Sequence, residues 1–458
     1  LEDIVTDNPG GNGGNITIQA GRSVTISANI DTDDGDLSIT ANETTANNVD
    51  DGNRDAGAAE ISITAGSIDA GNGSVSMVIN TGAGLTNSTS GNLTVRRIDA
   101  SAGITLINNG PNNGDIIING GLDGGAIAIR LNGELNVTGG SLDANSNNVS
   151  IDPIATVDTS LSIGLGDASG NITLTGSELQ NISANELQLG TNARFGAANI
   201  DNVTDANSTQ ITTAVVTTSG VTTFSGSNST FNALTVNADT LAVVDGVTVS
   251  ATTGTMTLTA SDLNLNTSGA LNGTIIVINE SNTDGIGLGD GSAGSGNMSI
   301  SGAELQNITA STNVTLNTAG GITVDGVTAD NSNNIPTLFL IATNQITFNG
   351  TTSVFNALDA ASNQEIEISV TATTDNFGGD NSIDDVALAT DTGDLILDGD
   401  VNIVNDAGTD SIDINQVGAG DAAVLLISAG NLQLKAPTGG VDSSGNLTLR
   451  AAGAVTVG

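Results

Sequence analysis

Carboxylates are the residues of this chain best placed to do chemistry. Asp31, Asp33, Asp34 and Asp36 crowd into DTDDGD, and Asp50, Asp51 and Asp55 into VDDGNRD. Asp-Gly loops of this kind offer hard oxygen ligands to Ca²⁺, so these seven residues are the candidate metal ligands and calcium the candidate ion. Asp380, Asp384 and Asp385 make a further group. Neither run fits the twelve-residue EF-hand spacing or the Gly-Gly-x-Gly-x-Asp nonapeptide. The competing reading is an ordinary solvated acidic turn, with calcium acting only as a counter-ion to a self-repelling charge.

Other catalytic kits are missing. The chain has no His, Cys, Trp or Tyr and only 8 Lys plus Arg against 50 Asp plus Glu. Without imidazole or thiolate there is no Ser-His-Asp triad, Cys nucleophile, zinc site or disulfide framework. A polysaccharide lyase or hydrolase would want two carboxylates about 5 to 9.5 Å apart in a groove with aromatic platforms. Asp398 and Asp400 would share one strand face, but the rest of that kit is absent, so no enzyme is expected. A formal charge of -42 excludes a binder that neutralises nucleic-acid phosphates and discourages docking on anionic lipid. No apolar run approaches the ~18 residues that span a bilayer, so no membrane insertion is expected.

The elements that must carry these carboxylates read as short strands. A phrase of Gly, a small polar or acidic residue, then apolar, any, apolar recurs as GNITI at 14, GDLSI at 35, GSVSM at 73, GNLTV at 91, GELNV at 133, GNITL at 170 and further on. From 14 to 35 is 21 residues, and the next steps are 38, 18, 42 and 37, which suggests one, two, one, two and two units of about 20 residues. Within GNITIQAGRSVTISANI, Ile16, Ile18, Val24, Ile26, Ala28 and Ile30 fall on one side and Thr17, Gln19, Thr25 and Ser27 on the other. That is strand periodicity with one buried face, punctuated by Gly, Asn, Asp and Ser turns. TGSELQNISANELQLG around Glu178 is the best helix candidate, but its β-branched flanks favour strand and turn. The pattern predicts an all-β parallel β-helix solenoid with rungs of about 20 residues. A β-sandwich array is the competing architecture.

A longer repeat overlies the short one. SIGLGD and GNITLTGSELQNIS, from Ser162 on, are echoed by GIGLGDGSAGSGNMSISGAELQNIT from Gly285. FSGSNSTFNAL, from Phe224, is echoed by FNGTTSVFNAL, from Phe348. Offsets of 123 (Ile163 to Ile286), 126 (Glu178 to Glu304) and 124 (Phe231 to Phe355) predict a superrepeat with copies at about 162–284 and 285–408. Four of the seven Phe recur in frame, and core filling is their expected use. The whole of 1–458 is expected to form one continuous shaft.

GNITIQAGRSVTI, IGLGD and GSELQNI, with Gly-Asn-rich turns and almost no Lys or aromatics, resemble the repeat regions of filamentous haemagglutinin-type exoproteins, bacterial surface proteins of the two-partner secretion route. The resemblance implies a right-handed parallel β-helix, an extracellular, cell-surface location, and service as an adhesin or fibre shaft. The amino-terminal signature of that family, Asn-Pro-Asn, is matched here only by Asn8-Pro9-Gly10, so the resemblance does not extend to the secretion domain. NITIQAGRSVTI near the start and NLTLRAAGAVTV near the finish share a frame, and an uncapped ladder templates further pairing. The expected partner is another copy of the chain stacked end to end, or more coils of a longer chain; glycans of a host or neighbouring cell are the partner if the surface is adhesive. A carbohydrate-binding adhesin or a polysaccharide-degrading β-helix enzyme is the alternative function.

Overall fold

The computed structural model describes residues 3–6, 13–43, 50–82, 85, 89–110, 112–155, 157–192, 194–291, 296, 298–348, 350–351, 353–356 and 358–362, then strand backbones as far as 457, with side chains chiefly up to Ala360. Asp380, Asp384, Asp385, Asp398 and Asp400 lie outside the described residues. The chain divides into two compact units, Leu1–Leu234 and Thr235–Gly458.

In the first unit, as far as Asp152, the coils lay down short strands on three faces, and strands of one face pair in parallel with one another. Farther on a single strand, Ile182–Leu189, serves the first and second faces together, and Val157–Gly166, Ile172–Leu174, Arg194–Asp201 and Val221–Phe224 make a separate parallel ladder. The first face is in register through Ile4, Ile30, Ile68, Ile98, Leu122, Leu142 and Ile182. The second runs through Ile16, Leu37, Val75, Ile104, Ile127, Val149 and Leu187. The third runs through Val24, Ile61, Leu93, Ile116 and Leu135. Because strand side chains alternate between faces, a parallel stack in register puts like on like. Ile39, Met77, Leu106, Ile129 and Ile151 lie one above another and are fully buried. Each such burial is worth about 1.5–3 kcal/mol over leaving the side chain in water.

The second unit repeats the principle. Met256–Ala260, Ala270–Glu280, Ile308–Thr318, Thr337–Ala342, Leu358–Ser362 and Val386–Thr390 pair in parallel. Beside them run Ile286–Leu288, Ile322–Val324, Ile346–Phe348 and Ile366–Ile368. A third ladder joins Ser353–Phe355, Ala372–Thr374, Val401–Asn405 and Leu432–Lys435. Each unit is an all-β parallel solenoid. The sandwich alternative fails, because sandwiches are built from antiparallel strands.

Two sequence expectations need correction. The coil is not a fixed 20 residues. Ile16 pairs with Leu37, 21 residues on, and Ile116 with Leu135, 19 on, but Leu37 pairs directly with Val75, 38 on, and Leu142 with Ile182, 40 on. The 38-residue step from GDLSI to GSVSM, which suggested two rungs, is a single coil with a long turn, whereas the 42-residue step from GNLTV to GELNV is two coils, Leu93 to Ile116 to Leu135. The recurring phrase misled because it opens strands on more than one face: GDLSI supplies Leu37 to the second face and GNLTV supplies Leu93 to the third.

The second correction concerns the turn at Glu178, since the strand expected after it forms at Ile182–Leu189. Gly176–Leu179 forms a turn of helix, α1, before the strand Ile182–Leu189. Thr175 and Glu178 close a capping box, each satisfying the other's backbone N–H, and that local signal overrides the flanking β-branched residues. Asp205–Ser208 (α2) and Gly302–Gln306 (α3) are capped in the same way, while in Ala329–Ser332 (α4) Asn331 Oδ1 accepts from the Thr328 N–H and hydroxyl at 2.9 and 2.7 Å. Phe224, Phe231, Phe348 and Phe355 are all buried, consistent with core filling.

Candidate functional site: stacked and looped carboxylates of the first unit

The first face ends in a feature that spacing alone concealed. Asp31, Asp69, Asp99, Asp123 and Asp143 occupy one register position on five successive coils, about 4.8 Å apart along the stack. Their aliphatic neighbours Ile30, Ile68, Ile98, Leu122 and Leu142 point inward and are buried, so alternation turns the aspartates outward. Asp31, Asp69 and Asp143 each accept from a backbone N–H two residues on, at 3.0 to 3.1 Å, which folds the chain around the corner. Asp99, in mid-ladder, has its carboxyl pushed above the usual range, by burial first and then by Asp123 and Asp69, with Arg97 opposing. The signal was present as Ile or Leu followed by Asp in IDT, IDA, IDA, LDG and LDA, but at irregular intervals.

The predicted calcium ligands are distributed between two loops. Asp34 accepts from the Asn72 N–H at 2.8 Å, and Asp36 from the N–H and hydroxyl of Ser74 at 2.9 and 2.8 Å. Those Ser74 bonds, the N–H first, hold Asp36 below the ordinary carboxylate range. Asp33 and Asp34 both have left-handed backbone, with φ of 46° and 72°. In the other loop Asp50 accepts from Gly52 N–H at 2.9 Å and Asn53 Nδ2 at 3.1 Å, and Asp51 lies 3.7 Å from Arg54 Nε. Asp55 faces Arg22 closely enough to act on its charge. Among the described residues no three acidic side chains converge on a point that could hold a metal ion.

Two arginines organise that second loop, and nothing in the sequence singled them out. Arg54 donates from Nη2 to Asn42 Oδ1 at 2.7 Å and from Nη1 to the Glu43 carbonyl at 2.5 Å. Arg22 donates to the same Asn42 oxygen at 3.4 Å. Both guanidiniums are buried beside an open cavity of about 400 Å³ that Ser23, Asp50, Asn53 and Asp55 also line. Burial, and secondly Arg54, hold the Arg22 guanidinium below its ordinary value. These arginines tether the turn.

A third carboxylate group sits at α1. Glu178, 5 % exposed, accepts through Oε1 from the Val137 N–H at 3.0 Å and through Oε2 from the N–H and hydroxyl of Thr175 at 3.0 and 2.8 Å. Glu134 accepts from the Thr173 N–H at 2.8 Å. No helix among the described residues is long and apolar enough to cross a membrane. No protein-family model, curated protein or solved structure matches this chain.

Proposed function

We propose that the chain is a segment of an extracellular, cell-surface structural fibre, a right-handed β-helical shaft of the filamentous haemagglutinin type, running continuously through residues 1–458 and without catalytic activity. The observation that carries this reading is the in-register parallel stack itself. A column of buried aliphatics such as Ile39, Met77, Leu106, Ile129 and Ile151 is held by cross-coil backbone bonds such as Ile30 N–H to Ser67 O and Ile68 N–H to Arg97 O, both 3.0 Å. Such a stack lengthens without redesign, because each coil contacts only its neighbours. Outermost strands of a parallel ladder template further strands, so coils of a second copy or of a longer chain extend it into a filament. Adhesion to surface glycans is the secondary role.

Calcium at the loops of Asp31–Asp36 and Asp50–Asp55 belongs to the same proposal as a counter-ion to the formal charge of -42. Electron microscopy of the purified chain tests the fibre. Thin rods or filaments are expected, with a higher melting temperature in calcium than in chelator. Globular particles of one compact size overturn the reading, and identical melts remove calcium from it.

A further inference from the structure

Glu134 and Glu178 bind two neighbouring coils reciprocally. Leu142 is in register with Ile182, so residues 134–142 and 173–182 belong to successive coils. Glu134 on the earlier coil accepts from Thr173 N–H on the later one, while Glu178 on the later coil accepts from Val137 N–H on the earlier one. Asn181 Nδ2 adds a bond to the Val137 carbonyl at 3.2 Å. Two carboxylates thereby face the same junction.

Every charged neighbour there is also acidic. Asp115 accepts from the Glu134 N–H at 3.0 Å. The strand Val157–Gly166, packed against α1, brings Asp158, and Asp167 follows it. From α2 come Asp205 and the neutral Asn207, whose Nδ2 donates to the Gly176 carbonyl at 3.0 Å. Among the described residues no basic side chain acts on Glu134, and its carboxyl is pushed above the usual glutamate range, by burial first and then by Glu178 and Asp115, against the opposing bonds from Thr173 and Leu135 N–H.

We propose that Glu134 and Glu178 form an acid-tightened clasp between these two coils. Protonating one carboxyl removes the like-charge repulsion while its carbonyl oxygen still accepts from the amide, so the cross-coil bonds survive and their electrostatic cost disappears. A carboxyl that binds its proton more tightly in the folded state than in the unfolded one adds stability as pH falls through its raised midpoint. The gain is complete below the unfolded value, near about 4.3. The clasp stands independently of the fibre reading, since it needs only the two coils.

Hydrogen exchange of the full chain between about pH 7 and about pH 4.5 tests it. Protection of the Val137 and Thr173 amides is expected to rise with acid, by about tenfold for each unit by which the Glu134 midpoint exceeds that of free glutamate. Glu134→Gln is expected to show the higher protection already at neutral pH and little change below it. The second unit supplies the control, because SDLNL aligns with GELNV and puts Asp262 where Glu134 would stand, and among the described residues Glu304 bonds the Leu265 N–H with no counterpart of the Glu134–Thr173 bond; the Leu265 and Ser299 amides should not follow. Flat or falling protection at Val137 and Thr173, a parallel rise at Leu265 and Ser299, or a Glu134→Gln chain less protected at neutral pH overturns the clasp. A carboxyl-carbon titration of the unmutated chain gives a second reading: a Glu134 midpoint at or below the ordinary glutamate value also overturns it.

Discussion

The region from α1 to Leu234 in the first unit and the region from α3 to Leu358 in the second use the same polar devices and bury Phe at the same two positions. Val203 N–H donates to Ser229 Oγ at 3.3 Å, and Val327 N–H to Ser353 Oγ at 3.2 Å. Asn232 Nδ2 donates to the carbonyls of Ser208, Thr209 and Ile211, and Asn356 Nδ2 to those of Ser332, Asn333 and Ile335. Asp201 accepts from Ser227 N–H at 2.7 Å and Asp325 from Thr351 N–H at 2.6 Å. Gly226 and Gly350 sit at φ of 68° and 69°, where a Cβ would strike the Asp201 or Asp325 carboxylate. What differs is the approach to the helical turn. Glu178 and Glu304 each reach back to an amide, Val137 at 3.0 Å and Leu265 at 3.1 Å, but only the first has a second glutamate beside it. Turn geometry is therefore reproduced where it caps backbone, and charge varies where it does not.

The largest test of that comparison is hydrophobic. Phe224 lies one coil from Ile200 and Phe348 one coil from Val324, both fully buried. Phe224→Ala and Phe348→Ala should each cost about 3–5 kcal/mol in denaturant unfolding; a loss in one and not the other would break the equivalence.

A smaller effect separates the two glutamates. Glu304→Ala leaves the Leu265 and Ser301 N–H groups without their acceptor, a cost of about 1–3 kcal/mol. Glu178→Ala removes the matching bonds but also relieves Glu134, so at neutral pH it should cost less. The two losses should converge in acid, once Glu134 is protonated; a gap unchanged from neutral to acid pH would contradict this.

The smallest effects carry opposite signs. Asp36 has its folded value depressed, so it adds stability above the unfolded value near about 3.9 and loses it as pH falls through the folded one. Asp36→Asn should therefore lower the neutral melting temperature and match the parent in strong acid. Asp99 has its folded value raised, so Asp99→Asn should raise the neutral melting temperature, by about 1 °C, and match the parent below about pH 3.9. Shifts of the same sign for both would deny that ladder and loop carboxylates differ.

Much of the fold was legible because alternation is local. Of the inward set read from GNITIQAGRSVTISANI, Val24, Ile26 and Ile30 are buried and Ile16, Ile18 and Ala28 half-buried, with Thr17, Gln19, Thr25 and Ser27 exposed between them. The capping boxes at Thr175 and Ser301 were also legible as Thr or Ser followed three residues later by Glu, and were outweighed only by their β-branched surroundings. The aspartate ladder was not, because Asp31, Asp69, Asp99, Asp123 and Asp143 follow one another at 38, 30, 24 and 20 residues. Nor were the roles of Arg22 and Arg54, whose partner Asn42 lies 20 and 12 residues away.

By itself the order of residues determined that short strands would alternate apolar and polar, and that Gly, Asn and Asp would turn them, because both follow from backbone geometry over a few positions. Only the tertiary structure decided which coil lies on which. Doubling a turn costs only about 0.6 kcal/mol in closure entropy, so coils of 19 and 40 residues both stack in register. Which carboxylates meet across them depends on that register and not on any spacing along the chain.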